Sequence, residues 1–195
     1  MSIRRVESER TRIRNHPERS VPEEAAEILA SGQVAHVGFI AEGQPWVVPL
    51  SYHFDLQTPG VLYLHGSVRS RALEQLASGQ TVCVTVTLID GLVYSRKAMN
   101  HSMNYRSAMV FGHSKLIEDA DLKFEIFDQM VQRYFPGRHV GEDYNPPTSD
   151  DLGVTSLVEV TIDEWSGKAR RGGPTGPEDA KDHALGSAGV INLDG

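Results

Sequence analysis

Two stretches of this 195-residue chain crowd together side chains that bind anions. In "LHGSVRSR" (64–71) an apolar strand pattern runs through His65 into a helix pattern. Gly66 lets backbone come close, Ser67 can cap the helix that follows, and Arg69 and Arg71 fall near its first turn. Basic residues there oppose the helix dipole unless an anion sits nearby. The stretch therefore reads either as a phosphate cradle or as a capped helix with solvated arginines. In "HSMNYRSAMVFG" (101–112) Asn104, Tyr105, Arg106 and Ser107 stand directly before an apolar run. They predict an ordered polar turn and a rim at a strand entrance. Two such rims facing one cleft would bind a polar, anionic ligand.

Other chemistry finds little support. The eight histidines show no HxxH or HExxH spacing and Cys83 has no CxxC partner, so a structural metal site is not indicated. One axial histidine for haem needs no spacing pattern, which leaves that reading open. There is no GxSxG elbow, P-loop or GxGxxG, and Cys83 lies in a Thr/Val run that reads as packed strand. Asp150–Asp151 and Glu23–Glu24 read as solvated turn and helix-start residues. With no hydrolytic constellation, the reactive group is expected to be a bound cofactor that the protein orients.

The elements that must position these residues follow from periodicity. Ser20, Pro22 and Glu23 predict a helix over 21–31, with Ala25, Ile28 and Leu29 on one face and Gly32 at its end. "VAHVGFI" and "PWVVPLSYHF" predict a hairpin whose second strand, carrying Pro49, is an edge or is bulged. A third strand spans 61–66. In 81–88 Val82, Val84, Val86 and Leu88 alternate with Thr81, Cys83, Thr85 and Thr87. "DG" at 90–91 predicts a turn, followed by strand at 92–95 and 106–118. Helical spacing covers 119–135, and a last strand carries Val154, Val158, Val160 and Ile162. Short connections favour an antiparallel barrel or sandwich with added helices over a βαβ fold. The chain divides into an arm (1–20), a barrel domain (21–166) and a Gly/Pro-rich tail (167–195) with little to bury.

Composition narrows the partners. With 19 Lys plus Arg against 26 Asp plus Glu, the net charge is −7, which argues against a general nucleic-acid binder. No apolar stretch nears the roughly 20 residues of a membrane helix. The Arg-rich N-terminus, interleaved with Glu, reads as neither signal nor transit peptide. A single cysteine fits a reducing, cytoplasmic setting.

The runs "RVESERTRIRNHPERSVPEEAAEILASGQVAHVGFIAEGQPWVVPLSYHF", "VLYLHGSVRSRALEQLASGQTVCVTVTLIDGLVYSR" and "HSMNYRSAMVFG", in this order, resemble the pyridoxamine 5′-phosphate oxidase-related proteins. The resemblance covers roughly residues 4–170 and is narrower for the flavin-nucleotide-binding branch that includes nitroimidazole-resistance proteins. It implies a mainly β fold, an antiparallel FMN-binding split β-barrel, in a homodimer with the cofactor at the subunit interface. Backbone around Val48, Pro49 and Leu50 would meet the flavin ring. His65, Gly66 and Ser67 would lie along the ring and ribityl chain, with Ser70 and Arg71 on the phosphate. Asn104, Tyr105, Arg106 and Ser107 would form the second rim, Arg106 serving phosphate or ribityl, and Thr85 would reach the ligand from the central strand. Relatives carry two adjacent histidines where this chain has Asn100–His101, and "EWSGKARRGGP" only loosely matches the C-terminal Trp…Arg…Pro segment of the true oxidases. Trp165, Lys168 and Arg170 are its counterparts here, and pyridoxamine phosphate oxidation is the weaker reading.

What the resemblance implies is an NAD(P)H-linked oxidoreductase passing electrons to a small nitro-aromatic or quinone. The alternatives are a flavin store or sensor without turnover, a haem binder using His65 or His101, and a barrel that prefers a deazaflavin.

Overall fold

The computed structural model describes residues 8–183 and 185–193; the start of the predicted arm lies outside them. In chain order the elements are α1 (Ala25–Ser31), β1 (Ala35–Ala41), β2 (Gln44–Leu50), β3 (Tyr52–His53), β4 (Val61–Ser67) and α2 (Arg71–Ala77). They continue as β5 (Thr81–Tyr94), β6 (Ser102–Ile117), α3 (Ala120–Tyr134), α4 (Ser149–Val154), β7 (Thr155–Arg170) and β8 (Gly189–Asn192). The strands form one antiparallel sheet in the order β2-β1-β5-β6-β7-β4-β3, with β8 also on β5. Ser51 alone separates β2 from β3, yet these strands stand at opposite ends of that order. The sheet therefore curls until its two edges meet, which makes the split barrel.

The valine/threonine alternation of β5 decides which face is inside. Val82, Val84 and Val86 are buried with Val37 of β1 and Ala108 and Val110 of β6, while Thr81 and Thr87 are exposed. Ile28 and Leu29 of α1 and Leu73 and Leu76 of α2 fill the same core. A smaller cluster forms on the outer side, where Ile126 and Met130 of α3 pack with Ile117 and Leu157, against Tyr63 and Phe127. The C-terminal end of α3 is stapled to the barrel. Arg133 donates to the carbonyls of Phe54, Leu29 and Gly32 and lies over the Tyr52 ring, and Tyr134 Oη bonds both Tyr52 backbone groups.

Pro49 sits on an outer strand, since β2 pairs with β1 alone. A missing N–H costs nothing on that edge. Elsewhere the structure departs from periodicity. Ser20 bridges to Lys168 instead of capping, so Pro22–Glu24 forms a 3-10 turn and α1 begins only at Ala25. Asp90–Gly91 is a bulge within the single long β5 rather than a turn: the register with β6 shifts between Ile89 and Gly91. The strand β6 begins at Ser102, which puts Asn104 and Tyr105 inside the sheet and not in a turn before it. The tail also docks. The strand β7 runs on to Arg170, β8 pairs with residues 91–94, and Asp179 accepts from Ser95 Oγ and from the amides of Arg96 and Gly176.

Candidate functional site

The seam where the sheet edges meet gathers the first rim. Alternation turns Trp46, Val48 and Leu50 toward the core and leaves Val47 and Pro49 exposed outside. Just past β2, Ser51 Oγ lies 3.0 Å from Nε2 of His65 on β4 and ties the two strands together. Gly66 serves packing: a methyl group there would meet Leu73 of α2 at 3.3 Å. Ser67 Oγ accepts from the Arg69 amide, and Ser70, not Ser67, is the cap, accepting from the Leu73 amide. Arg71 lies 5.3 Å from the centre of the Trp46 ring. Neither Arg69 nor Arg71 pairs with a carboxylate among the described residues. They are cations that no internal anion uses.

The second rim splits between two faces. Tyr105 and Ser107 turn outward with Thr85, while Asn104 and Arg106 turn inward with buried Ala108 and Val110. Inside, Arg106 forks onto Asp90, with Nη2 2.6 Å from Oδ1 and Nε 3.0 Å from Oδ2. The guanidinium bonds hold the Asp90 carboxyl below the usual range. The sequence signals Asp90 only as part of a turn, and its pairing with Arg106 carries no signal because the partner is reached only through the bulged register. Lys168 stands opposite Ser107, and Trp165 packs partly against the core. Arg170 is 8% exposed and donates to Asn104 Oδ1 (2.5 Å) and to the carbonyls of Gly172 and Gly173.

Within one chain the rims stand far apart. Along β7, Thr155 faces Ser67 and Lys168 faces Ser107, thirteen positions apart (168 − 155). That is on the order of 40 Å of extended strand. Thr85 lies between them on the outer face, in a cross-strand row with Pro49, His36, Met109 and Ser166. Around this row the exposed apolar side chains Ile40, Val47, Ile89 and Met109 stand beside exposed His36 and Thr87.

A third feature is a cavity of about 780 Å³ between α3, the 140–148 loop and the end of β4. Its walls are Phe124, Phe127, Met130, Val131, Tyr134 and Leu152, with Ser51 and His65 at its base. The His65 ring meets Phe127 edge-on at 5.8 Å, and burial pushes its pKa down, favouring neutral imidazole. His101, by contrast, is exposed and bonds only its own turn, at the carbonyls of Lys97 and Ala98. The aromatic spacing of 119–135 signalled a helix, but not that one of its faces would stay uncovered. Burial raises the Cys83 pKa, which suits a packed thiol rather than a nucleophile. Among the described residues no His/Cys/Asp/Glu group is placed to hold a metal ion, and no helix is long and apolar enough to cross a membrane.

The family model for pyridoxamine 5′-phosphate oxidase matches residues 22–169. Among solved structures, the chain is similar to a flavocytochrome from Azotobacter vinelandii, with 33% identity over 96% of this chain and 85% of that one and a TM-score of 0.82. It is similar to a FAD and heme binding protein from Mycobacterium smegmatis, with 30% identity over 90% and 84% and a TM-score of 0.79. A 5-nitroimidazole antibiotic resistance protein from Bacteroides thetaiotaomicron shares 25% identity over 77% and 86%, with a TM-score of 0.61. Among curated protein sequences, none matches the chain.

Proposed function

The chain belongs to the pyridoxamine 5′-phosphate oxidase family, and on that premise we propose that it is a redox protein holding a flavin and a haem. The cavity under α3 carries this reading. Its volume lies within the range of cofactor sites, and its walls are apolar and aromatic. The half-buried imidazole at its base has one nitrogen on Ser51, an arrangement that orients a metal-ligating histidine. These residues fit a haem, with His65 as the axial ligand through the ring nitrogen not bonded to Ser51; His101, exposed and outside this cavity, is the alternative ligand. Two relatives at 30% identity or more are named for both cofactors.

The flavin is assigned to the seam and outer face. Pro49 and Thr85 would border the ring, and Ser67 and Arg71 would hold the phosphate that FMN and FAD share. A flavin exchanges electrons by hydride or single-electron steps, and the protein supplies position and charge. FMN remains the expected form, with FAD the form for which the Mycobacterium smegmatis relative is named. Tyr105, Ser107 and Lys168 cannot reach that seam within their own chain. A second copy docked on the apolar row of Ile40, Val47, Ile89 and Met109 would bring its own rim across, so the working unit is a homodimer. The activity proposed is NAD(P)H-linked reduction of a small nitro-aromatic or quinone, in the cytoplasm.

The test is the spectrum of the purified protein before and after anaerobic NAD(P)H. Flavin and Soret bands, with the flavin bleached by reductant, support the proposal. Both cofactors bound but unreduced would leave a binding protein without turnover. A colourless protein that takes up neither FMN, FAD nor haemin overturns it.

A further inference from the structure

The negative charge of this chain is concentrated on one side. Residues 118–151 carry nine Asp and Glu against three Lys and Arg, a net charge of −6 out of the chain's −7. They form the lead into α3, α3 itself, the loop after it and the start of α4. The three bases do not balance the acids outward. Lys123 Nζ donates to the carbonyls of Leu152 and Thr155, and Arg133 is taken up by the staple to the barrel. Arg138 donates to the Asp143 carbonyl. Each cation thus sits on backbone oxygen, and none of the nine carboxylates joins an ion pair among the described residues. Asp119 and Asp151 cap their helices, and Asp121 and Asp150 suit a first turn. Those local roles explain where acids stand, but not why no outward lysine stands among them, since protein surfaces ordinarily mix both signs.

The same side keeps apolar groups in water. Phe135 at the end of α3 is 60% exposed, Val140 in the following loop is also exposed, and both stand at the mouth of the α3 cavity. An uncovered apolar centre inside a charged rim is the anatomy of a protein contact. The fifteen residues of α3 span about 22 Å, the scale of a small protein's contact patch.

Charge selects the occupant. A second copy would set acid against acid, and nucleic acid or anionic lipid would be repelled, whereas a protein carrying lysines around an apolar centre is complementary. The row assigned to the second copy lies on β1, β2, β5 and β6, while α3 packs on Tyr63 of β4, Leu157 of β7 and the end of β6, so the two faces share no residue. We propose that the face made by α3, the 135–148 loop and α4 is the docking surface for a basic partner protein, with Phe135 and Val140 at its centre and the carboxylates at its rim. The inference goes beyond the flavin and haem assignment and requires neither cofactor.

The experiment is surface plasmon resonance of the purified protein with cytochrome c, a lysine-rich basic protein, as the probe. Lysine-acetylated cytochrome c is the control for charge. Saturable binding of the native probe at low ionic strength is expected, with an association rate that falls as salt is added, and the acetylated probe should not bind. Glu118→Gln, Asp121→Asn, Glu142→Gln and Asp150→Asn together should weaken binding roughly tenfold. The same loss of four charges elsewhere, by Glu23→Gln, Glu27→Gln, Glu74→Gln and Asp182→Asn, should change it less than about twofold. Phe135→Ser should speed dissociation several-fold, which long-range charge alone would not do. No saturable binding, equal loss in the two fourfold variants, or wild-type dissociation in Phe135→Ser overturns the proposal. So does self-association of the protein alone, read by sedimentation, if Phe135→Ser abolishes it, because a second copy would then occupy this face. If the fourfold rim variant does not fold, its two halves, Glu118→Gln with Asp121→Asn and Glu142→Gln with Asp150→Asn, decide in its place.

Discussion

The two ends of β7 are built on opposite electrostatic plans. At its start, where it faces Ser67 and His65, the surroundings are aromatic and the imidazole is held neutral by burial. At its finish, Arg170, Arg171, Arg106, Asp90 and Glu24 fill a small volume with charge. One strand of sixteen residues spans both plans, so a rigid ladder fixes the distance between an apolar site and an ionic cluster. The contrast shows how a barrel separates a site that must exclude charge from a cluster built of it.

Four measurements would break or sharpen that contrast. The largest effect is expected at the apolar end. His65→Ala should abolish the Soret band while flavin absorbance remains, and His101→Ala should alter neither; a full Soret band in His65→Ala would remove haem from this cavity. Next, Arg133→Met removes three bonds to backbone carbonyls and leaves those acceptors buried. We expect a loss of about 3 kcal/mol in urea unfolding, since the Phe54 and Gly32 carbonyls lose this donor at about 1–3 kcal/mol each, the Leu29 carbonyl keeps its bond from Tyr52 Oη, and packing by Met recovers part. An unchanged urea midpoint would mean that α3 is not fixed by this staple.

The third measurement is the pH dependence of stability. Burial depresses the pKa of His53 and of His65, so the unfolded chain binds these protons first. Stability should be full above the unfolded pKa of about 6.5 and fall as the pH drops from there toward the depressed folded values. His53, 7% exposed and without a hydrogen bond to either ring nitrogen, should contribute to this fall, and His53→Phe should flatten it. Equal slopes in both proteins would assign the effect elsewhere. The smallest effect belongs to the ionic end. Asp90 and Arg106 are each about one-third exposed, so solvent screening discounts the pair, and a double-mutant cycle should give about 1 kcal/mol or less. With its folded pKa lowered, Asp90 contributes above about pH 4, and that contribution is lost as pH falls below it. A coupling of several kcal/mol would make this pair a structural core instead.

Much of the fold was legible because its signals are local. The alternation in 81–88, the hairpin signals and Pro49 on an edge need only neighbouring residues to be read. What escaped depends on pairing over long separations. "DG" at 90–91 is a turn signal by composition, but the strands on both sides continue along β6, and tertiary pairing turns it into a bulge. The same bulge aims Asp90 at Arg106, a pairing that periodicity does not express. The polar stretch 104–107 was visible as a rim, but alternation within β6 sends its members to two faces. His65 stood out by its place in "LHGS"; its apolar surroundings come from α3, some sixty residues later in the chain.

The docking of β8 has a consequence for the order in which the chain can fold. Gly91, Leu92 and Val93 pair with β6 on one side, but on the other side residues 91–94 pair with residues 189–192, so that edge of β5 stays open until nearly all the described chain has been made. The fit is close, since a methyl group on Gly91 would meet the Ile191 carbonyl at 2.9 Å. Until that strand arrives, Leu92 and Val93 offer an unpaired edge of the kind that templates intermolecular β-pairing. The late strand thus acts as a seal, and a protease clipping the exposed stretch before it would turn a well-behaved barrel into one prone to polymerise.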